Sequence, residues 1–316
     1  MNILLDYFFP ITTIEPTPEA STAFLKQACV LVDPVSVTAI SGTLYEKTSQ
    51  SAVVAMGLSA GATAEIAELF AAGMSRVFIL PLSALTGLDE AIEGHESDFF
   101  TILVSSDFSD SDVTAMTPGT FTGVIGASST DDSFLATQAA IANRAAFHTT
   151  SGNKAKNMFY AFGKMLSNSL NWRNQQYISM PHADDVATKG DADALFDDKI
   201  SFVISDDEFG ERLALFCAGG KAIVAPYIKR NLELDLQSAA LSYISGNQPA
   251  YTKKEAALLE DELQKVMLEY IEDKRWIEAG TAEVTLQEDN FVASGDFNIA
   301  QPKAMWRIFG EMRQTL

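Results

Sequence analysis

The residues that best match a catalytic motif are GLSAG at 57–61, which follow a short apolar run and precede a helical pattern. The motif fits G-x-S-x-G, the turn that presents a nucleophilic serine in α/β hydrolases. Ser59 would need a histidine base, and the chain contains His95, His148 and His182 only. No HGGG-like oxyanion segment is present and no histidine follows His182. We therefore interpret Ser59 as a turn residue and keep a serine hydrolase as the alternative.

Three other groups of residues have the right types for binding chemistry but the wrong spacing. The turn at 57–61 lacks both G-x-G-x-x-G and the Walker lysine, which argues against a nucleotide. The acidic segment 191–198 has Leu195 and Phe196 where a calcium loop needs a ligand and a glycine. Cys29 and Cys217 lie in apolar segments without a CxxC motif, which indicates buried thiols. We expect no catalytic residue, no cofactor, no metal site and no enzymatic activity.

The charge balance excludes several classes of partner. The 316 residues include 22 Lys and Arg against 42 Asp and Glu, which gives a net charge of −20. Such a surface repels a polyanion, so we expect no direct contact with nucleic acid. No window approaches 18 uninterrupted apolar residues, so we expect no membrane insertion by this chain. The N-terminal segment has no basic region before its apolar residues, and we expect synthesis in a cytoplasm.

The alternation of apolar runs with helical patterns predicts an α/β fold. Segment 51–83 is interpreted as strand, tight turn, helix and strand, with its first strand at 53–56. Buried strands are expected at 77–80, 99–105, 122–127 and 145–149. Farther along the chain, the sequence predicts an exposed acidic segment over 183–198 and a helix over 209–218. This rhythm is typical of a mostly parallel sheet covered by helices.

Residues 1–18 have the pattern of an extended N-terminal arm. Their prolines exclude a helix, and alternating large apolar residues occupy one face of an extended chain: Ile3, Leu5, Tyr7 and Phe9. Side chains of this size need burial. The arm is either an edge strand of its own molecule or a strand donated to a neighbouring subunit, and the sequence alone leaves both open.

The C-terminal region has a different pattern from the core. Thr252 is expected to cap a long charged helix that ends near Lys274. Two alternating segments then predict a half-exposed hairpin, with Val284 and Leu286 in one strand and Phe297 and Ile299 in the other. Pro302 is expected to start a last short helix. The predicted division is an arm at 1–18, an α/β core at 19–250 and a helix-plus-hairpin region at 251–316, α+β overall.

Several segments resemble bacteriophage tail-sheath proteins: NWRNQQYISMP at 171–181, residues 200–231, and LEDELQKVMLEYI at 259–271, followed by a β-rich tail. Upstream, ELFAAGMSRVFIL at 68–80 is similar to the start of their α/β core. The resemblance implies a structural subunit of a phage tail sheath or sheath-like tube.

In such assemblies the subunits polymerise as stacked rings around a tail tube, and their terminal arms add strands to neighbours' sheets. The implied partners are further copies of this chain and a tail tube protein. The implied location is the virion tail, after assembly in the host cytoplasm. By position and alternation, segments 1–16 and 281–300 fit the role of these arms. Another tail or baseplate structural protein with a related core remains a further alternative.

Overall fold

The computed structural model describes residues 23–34, 41–95, 98–150, 155–167, 178–183, 186, 188–205, 210–247, 250, 252–274, 277–287 and 292–300. Two elements predicted above lie outside these residues: the N-terminal arm with Ile3, Leu5, Tyr7 and Phe9, and the last helix after Pro302.

A six-stranded sheet forms the centre of the fold. Its order is β2-β3-β1-β4-β5-β6, and only β2, at one edge, runs antiparallel to its neighbour. Strands β1, β3 and β4 are buried along their whole length, as parallel strands covered on both faces should be. The predicted mostly parallel α/β core is confirmed. The strands are β1 Ala28–Val32, β2 Tyr45–Lys47, β3 Val77–Pro81, β4 Thr101–Val104, β5 Val124–Ser129 and β6 Arg144–His148.

Helices cover both faces of this sheet. They are α1 Gln50–Val54, α2 Ala60–Ala71, α3 Leu88–Ile92, α4 Asp110–Ala115, α5 Asp132–Ala139 and α6 Lys156–Ser167. Val30 of β1 belongs to the same apolar cluster as α2 and α6, whereas Leu31 belongs to the cluster with α3 and α4. Gly163 lets α2 and α6 approach closely, because a Cβ there would lie 2.6 Å from the Cβ of Ala72.

The second half of the chain extends the fold beyond β6. A parallel bridge joins Phe147 to Ser201, next to the antiparallel pair β7–β8. Two long helices and a hairpin then follow, and Thr252 caps the second helix as predicted. These elements are α7 Lys189–Asp197, β7 Phe202–Ile204, β8 Arg212–Leu215, β9 Cys217–Ala218, β10 Lys221–Ala222, α8 Ala225–Asn247, α9 Lys253–Leu268, a π-helix Glu269–Asp273, β11 Ala279–Gln287 and β12 Val292–Ala300.

The strand predicted at 53–56 is wrong, since that segment contains the end of α1 and a turn. Ser49 caps α1 by accepting a hydrogen bond from the N–H of Ala52 at 3.3 Å. Val54 is 57% exposed, which a strand buried on both faces would not allow. A short apolar run fits either structure, and here the cap selects the helix. The parallel partner of β3 is β1, and α2 lies in the connection between them.

The helix predicted over 209–218 is also wrong, because its described part forms β8 and β9. Burial alternates along Arg212–Leu215, where Leu213 and Leu215 are buried, and this is the two-residue period of a strand. The acidic segment 183–198 is mostly exposed in its described part, as expected, and it contains helix α7, which buries Leu195 against the sheet edge. The error over 209–218 comes from judging apolar content without testing its period.

Candidate functional site

Ser59 serves as the N-cap of α2. Its Oγ accepts a hydrogen bond from the N–H of Ala62 at 3.0 Å and donates one to Oδ1 of Asp107 at 2.6 Å. A serine oriented this way satisfies one of the unpaired N–H groups at the start of the helix. Asp107 follows β4, so the bond also ties the helix to the carboxyl edge of the sheet.

Each of the three histidines binds a carboxylate elsewhere. His95 contacts Asp98 at 2.8 Å, His148 contacts Asp132 at 2.9 Å and His182 contacts Glu68 at 2.8 Å. The hydrogen bonds of Ser59 in the described structure therefore include no histidine that could deprotonate it. The geometry favours the capping role over the nucleophile that the hydrolase alternative requires.

Glu65 completes a small polar cluster beside Ser59. Its side chain is buried, and Oε2 accepts a hydrogen bond from the N–H of Ser106 at 3.1 Å. Burial raises the pKa of Glu65, the hydrogen bonds from Ser106 oppose that rise, and the charge of Asp107 adds to it. The cluster lies at the carboxyl edge between β1 and β4, where ligands of open α/β sheets commonly bind. Here its groups join α2 to the loop after β4.

We expect Ser59→Ala to lower the free energy of unfolding by about 1 kcal/mol, because one helix cap is lost. Urea unfolding measures this, with Ser49→Ala as the matched control, since Ser49 caps α1 in the same way. Neither variant should change assembly. Wild-type protein should also resist fluorophosphonate, and covalent labelling of Ser59 in a mass spectrum would restore the hydrolase hypothesis.

The two cysteines and the acidic residues of segment 191–198 have structural surroundings. Cys29 and Cys217 are buried and unpaired, and burial raises the pKa of both thiols, which keeps them protonated. Asp191 accepts a hydrogen bond from the cap residue Thr188, and Asp193 pairs with Lys189. The described residues hold no cluster of three or more metal-ligand side chains. None of the helices described is long and apolar enough to cross a bilayer.

The C-terminal hairpin is the strongest candidate interaction surface, and one of its edges is occupied. The N–H of Ala282 donates to Oε1 of Gln264 at 3.0 Å, and the N–H of Val284 donates to Oε2 of Glu260 at 2.9 Å. Gln264 also donates to the carbonyl of Gly280 at 3.3 Å. Side chains of α9 thus satisfy the outer edge of β11 in place of a strand. Sequence reasoning missed this role, although Glu260 and Gln264 share a helix face at i, i+4 spacing.

The register of the hairpin defines its second edge. Ala282 lies opposite Phe297, and Val284 lies opposite Gly295. Because Ala282 and Val284 direct their N–H groups away from β12, their partners direct their own main-chain groups away from β11. Within the described residues the hairpin is a two-stranded sheet, so no described strand pairs with this outer edge of β12. The residues of β12 whose main-chain N–H and C=O groups point away from β11 are Ala293, Gly295, Phe297 and Ile299.

The four C-terminal residues predicted to form an interaction arm all belong to this hairpin. Val284 and Phe297 are partly buried and pack against the main apolar cluster. Leu286 and Ile299 contribute main chain to β11 and β12. The hairpin is therefore anchored to its own subunit by the side chains of Val284 and Phe297 and by the hydrogen bonds from α9 to β11. The edge of β12 that faces away from β11 pairs with no described strand.

Comparisons with known proteins identify solved structures that share this fold. No protein-family model matches the chain, and no curated protein matches it. Among solved structures, a chain of the contracted sheath complex of an extracellular contractile injection system, PVC, matches with a TM-score of 0.70 at 11% identity, covering 96% of each chain. The chain has the fold of tail-sheath proteins. The resemblance found in the sequence is thereby confirmed at the level of the fold.

Two further structures with the sheath fold cover nearly the whole chain. A chain in the six-fold symmetrised baseplate of the anti-feeding prophage matches with a TM-score of 0.69 at 12% identity, covering 96% of this chain and 97% of its own. The sheath tail protein of Desulfitobacterium hafniense matches with a TM-score of 0.52 at 10% identity, covering 92% and 99%. The likeness therefore includes the hairpin region as well as the parallel core.

Proposed function

We propose that this chain is a structural, non-enzymatic subunit of a contractile-tail sheath or sheath-like tube. The observation that supports this most directly is the sheath fold over 96% of the chain, together with an outward strand edge on β12. The neighbours that share the fold come from sheath and baseplate assemblies. By this proposal the chain binds further copies of itself and a tail tube protein, in a virion tail assembled in the host cytoplasm.

The proposed contact between subunits is strand addition. The arm of one subunit, with Ile3, Leu5, Tyr7 and Phe9 on one face, pairs with the β12 edge of the next. The outer edge of β11 is already satisfied by Gln264 and Glu260, so β12 is the edge that receives the strand. Main-chain pairing sets the register, and each buried large apolar side chain contributes roughly 1.5–3 kcal/mol.

This contact generates rings or helices from one kind of interface. Each subunit donates one arm and receives another, so the contact is head-to-tail and repeats with every added copy. A rotation that closes gives a ring, whereas one that does not close gives a helical tube. The net charge of −20 opposes association at low ionic strength, and salt reduces that repulsion.

A tail or baseplate component other than the sheath is the second candidate. The likeness to a chain in the anti-feeding prophage baseplate favours it, because that structure shares the fold with a TM-score of 0.69. The two candidates differ in what the purified chain should form. A sheath subunit should stack into tubes, whereas a baseplate component should stop at single rings.

Negative-stain electron microscopy of the concentrated full-length protein tests the proposal. We expect tubes or stacked rings at a salt concentration that screens the surface charge. Single rings that never stack would favour the baseplate alternative. Monomers at every salt and protein concentration would contradict self-assembly by this chain.

A further inference from the structure

An arginine without a partner is buried at the amino end of β6. Arg144 is 7% exposed, and its Nη1 is shielded from solvent. Within the part of the chain that the structure describes, its guanidinium forms no hydrogen bond, ion pair or cation–π contact. Burial lowers the pKa of Arg144, yet a guanidinium stays charged at neutral pH. A buried positive charge is costly when unpaired, so the group requires an anion.

The side chain of Arg144 lies on the face of β6 that α5 covers. Side chains alternate along a strand, and Ala146, two residues later, belongs to the same apolar cluster as Leu135 and Ala139 of α5. Gln138, between these two on α5, is 3% exposed, and its Oε1 is also without a partner. Two buried polar side chains with unmet hydrogen bonds therefore lie on one face at this end of the strand.

Main-chain hydrogen bonds hold these residues next to each other. The N–H of Ile141 donates to the carbonyl of Gln138 at 3.0 Å, and the N–H of Arg144 donates to the carbonyl of Ile141 at 3.1 Å. The N–H of Gly219 donates to the carbonyl of Arg144 at 2.9 Å, which joins the turn between β9 and β10 to the same loop. The Arg144 site is therefore fixed by two separate parts of the chain.

The surface around the Arg144 site is apolar and basic. Ile141 is 44% exposed, and Ala142 beside it is exposed as well. The turn lies flat against them, because a Cβ at Gly219 would be 3.0 Å from the Cα of Ala142. Lys221, which follows the turn, is exposed. An exposed large apolar side chain beside an unpaired arginine is typical of the residues that dominate protein–protein interfaces.

The acids of the adjoining elements do not supply the missing anion. Asp131 caps α5, and Asp132 binds His148 at 2.9 Å. Asp197 and Asp198 end α7, and among the described residues no ion pair joins either of them to the arginine. The anion must therefore come from outside these elements.

A carboxylate fits the site, and a second copy of this chain can supply it. The planar guanidinium of Arg144 binds both oxygens of a carboxylate, and the amide of Gln138 adds a donor on the same face. The sequence has 42 acids against 22 bases, so each copy presents a surplus of carboxylates. In the proposed assembly the neighbouring subunit is such a copy.

We propose that Arg144 is an interface residue that receives an aspartate or glutamate of the neighbouring subunit, with Ile141 buried beside it. This inference rests on the proposed function, because the neighbour is a further copy in the same assembly. The contact is separate from strand addition at β12, since it uses side chains at the amino end of the parallel sheet. Charge pairing gives it a selectivity that main-chain pairing alone lacks.

Opposite effects on folding and on assembly distinguish this role from a structural one. Arg144→Gln removes an unpaired buried charge from the isolated subunit, so the free energy of unfolding in urea should not fall. The critical concentration for assembly, measured by sedimentation, should rise at least about tenfold, because the neighbour's carboxylate loses its partner. Ile141→Ser, at an exposed position, should raise it as well. A fall in the unfolding free energy of Arg144→Gln, or its normal assembly, would overturn the proposal.

Arg76→Gln is the matched control. Arg76 already pairs with Glu46 of its own chain at 3.1 Å, and both side chains are well exposed. We expect this variant to assemble at a critical concentration within about twofold of wild type, since an exposed ion pair is worth little. An equal rise in both arginine variants would show a general effect of net charge and would overturn the specific role of Arg144.

Cross-linking identifies the source of the carboxylate. The lysine introduced by Arg144→Lys keeps the positive charge, and a carbodiimide couples its amine to a carboxylate in direct contact. In assemblies of isotopically labelled and unlabelled subunits, mass spectrometry should find position 144 joined to an acid of another subunit. Dilution to monomers before coupling should remove this product. A product within one chain, or no product in assembled protein, would overturn the proposal.

Two further measurements separate the remaining explanations. If phosphate, compared with chloride at matched ionic strength, stabilised monomeric wild type but not Arg144→Gln, the site would hold a free anion and the neighbour would not be its partner. Wild-type protein that stays monomeric would contradict the proposed function and, with it, this contact. Wild-type tubes that Arg144→Gln forms equally well would contradict this inference alone.

Discussion

A chain lacking residues 1–12 should remain folded and monomeric and should form neither rings nor tubes. The predicted α/β core begins at residue 19, and its described part includes the buried pair Phe24 and Leu25. The deletion removes four large apolar side chains from one face of the arm. At roughly 1.5–3 kcal/mol for each buried side chain, their combined loss is large enough to abolish association. Circular dichroism and sedimentation velocity measure the two outcomes.

A full-length control separates the two faces of the arm. Leu5→Ser/Phe9→Ser changes the face proposed to contact the neighbour, whereas Leu4→Ser/Phe8→Ser changes the opposite face by the same chemistry. Only the first variant should lose assembly. If the truncated chain still assembled, the arm would belong to its own subunit. If it failed to fold, the arm would be part of the core.

The parallel core was predictable because its strands are buried on both faces. Uninterrupted apolar runs such as FFTILVS at 99–105 give a strong signal, and β4 lies inside that run. The same logic failed for α1, where a run of similar composition is one turn of helix with a polar cap at Ser49. It also failed for β8, whose alternating burial was mistaken for helical content. Composition identified burial, whereas the local period and the cap decided the type of element.

The hairpin was predictable from alternation, but its usable edge was not. Which edge is open depends on the register of β11 with β12 and on two α9 side chains, Glu260 and Gln264. These are tertiary relationships that no local pattern encodes. The role of Ile3, Leu5, Tyr7 and Phe9 and the division at residues 18 and 250 stay predictions. The main apolar cluster contains residues from both sides of position 250, including Tyr227 and Leu263.

Proline at residue 295 should block assembly while leaving the hairpin intact. The N–H of Gly295 points away from β11, so Gly295→Pro removes no hydrogen bond within the hairpin. It does remove a donor from the outward edge, and the proline ring obstructs an incoming strand. A lost hydrogen bond of about 1 kcal/mol together with this obstruction should raise the critical concentration for assembly at least about tenfold, as measured by sedimentation.

Ser294→Pro is the matched control, because the N–H of Ser294 points toward Thr285 on β11. That substitution should weaken the hairpin itself, which hydrogen exchange of the β11 amides would report as lost protection. The contrast is informative because the two prolines are adjacent in sequence and differ only in the direction of the N–H they replace. Normal assembly of Gly295→Pro would place the receiving edge elsewhere. Loss of β11 protection in Gly295→Pro would instead show that the register assigns the outward row to the wrong residues.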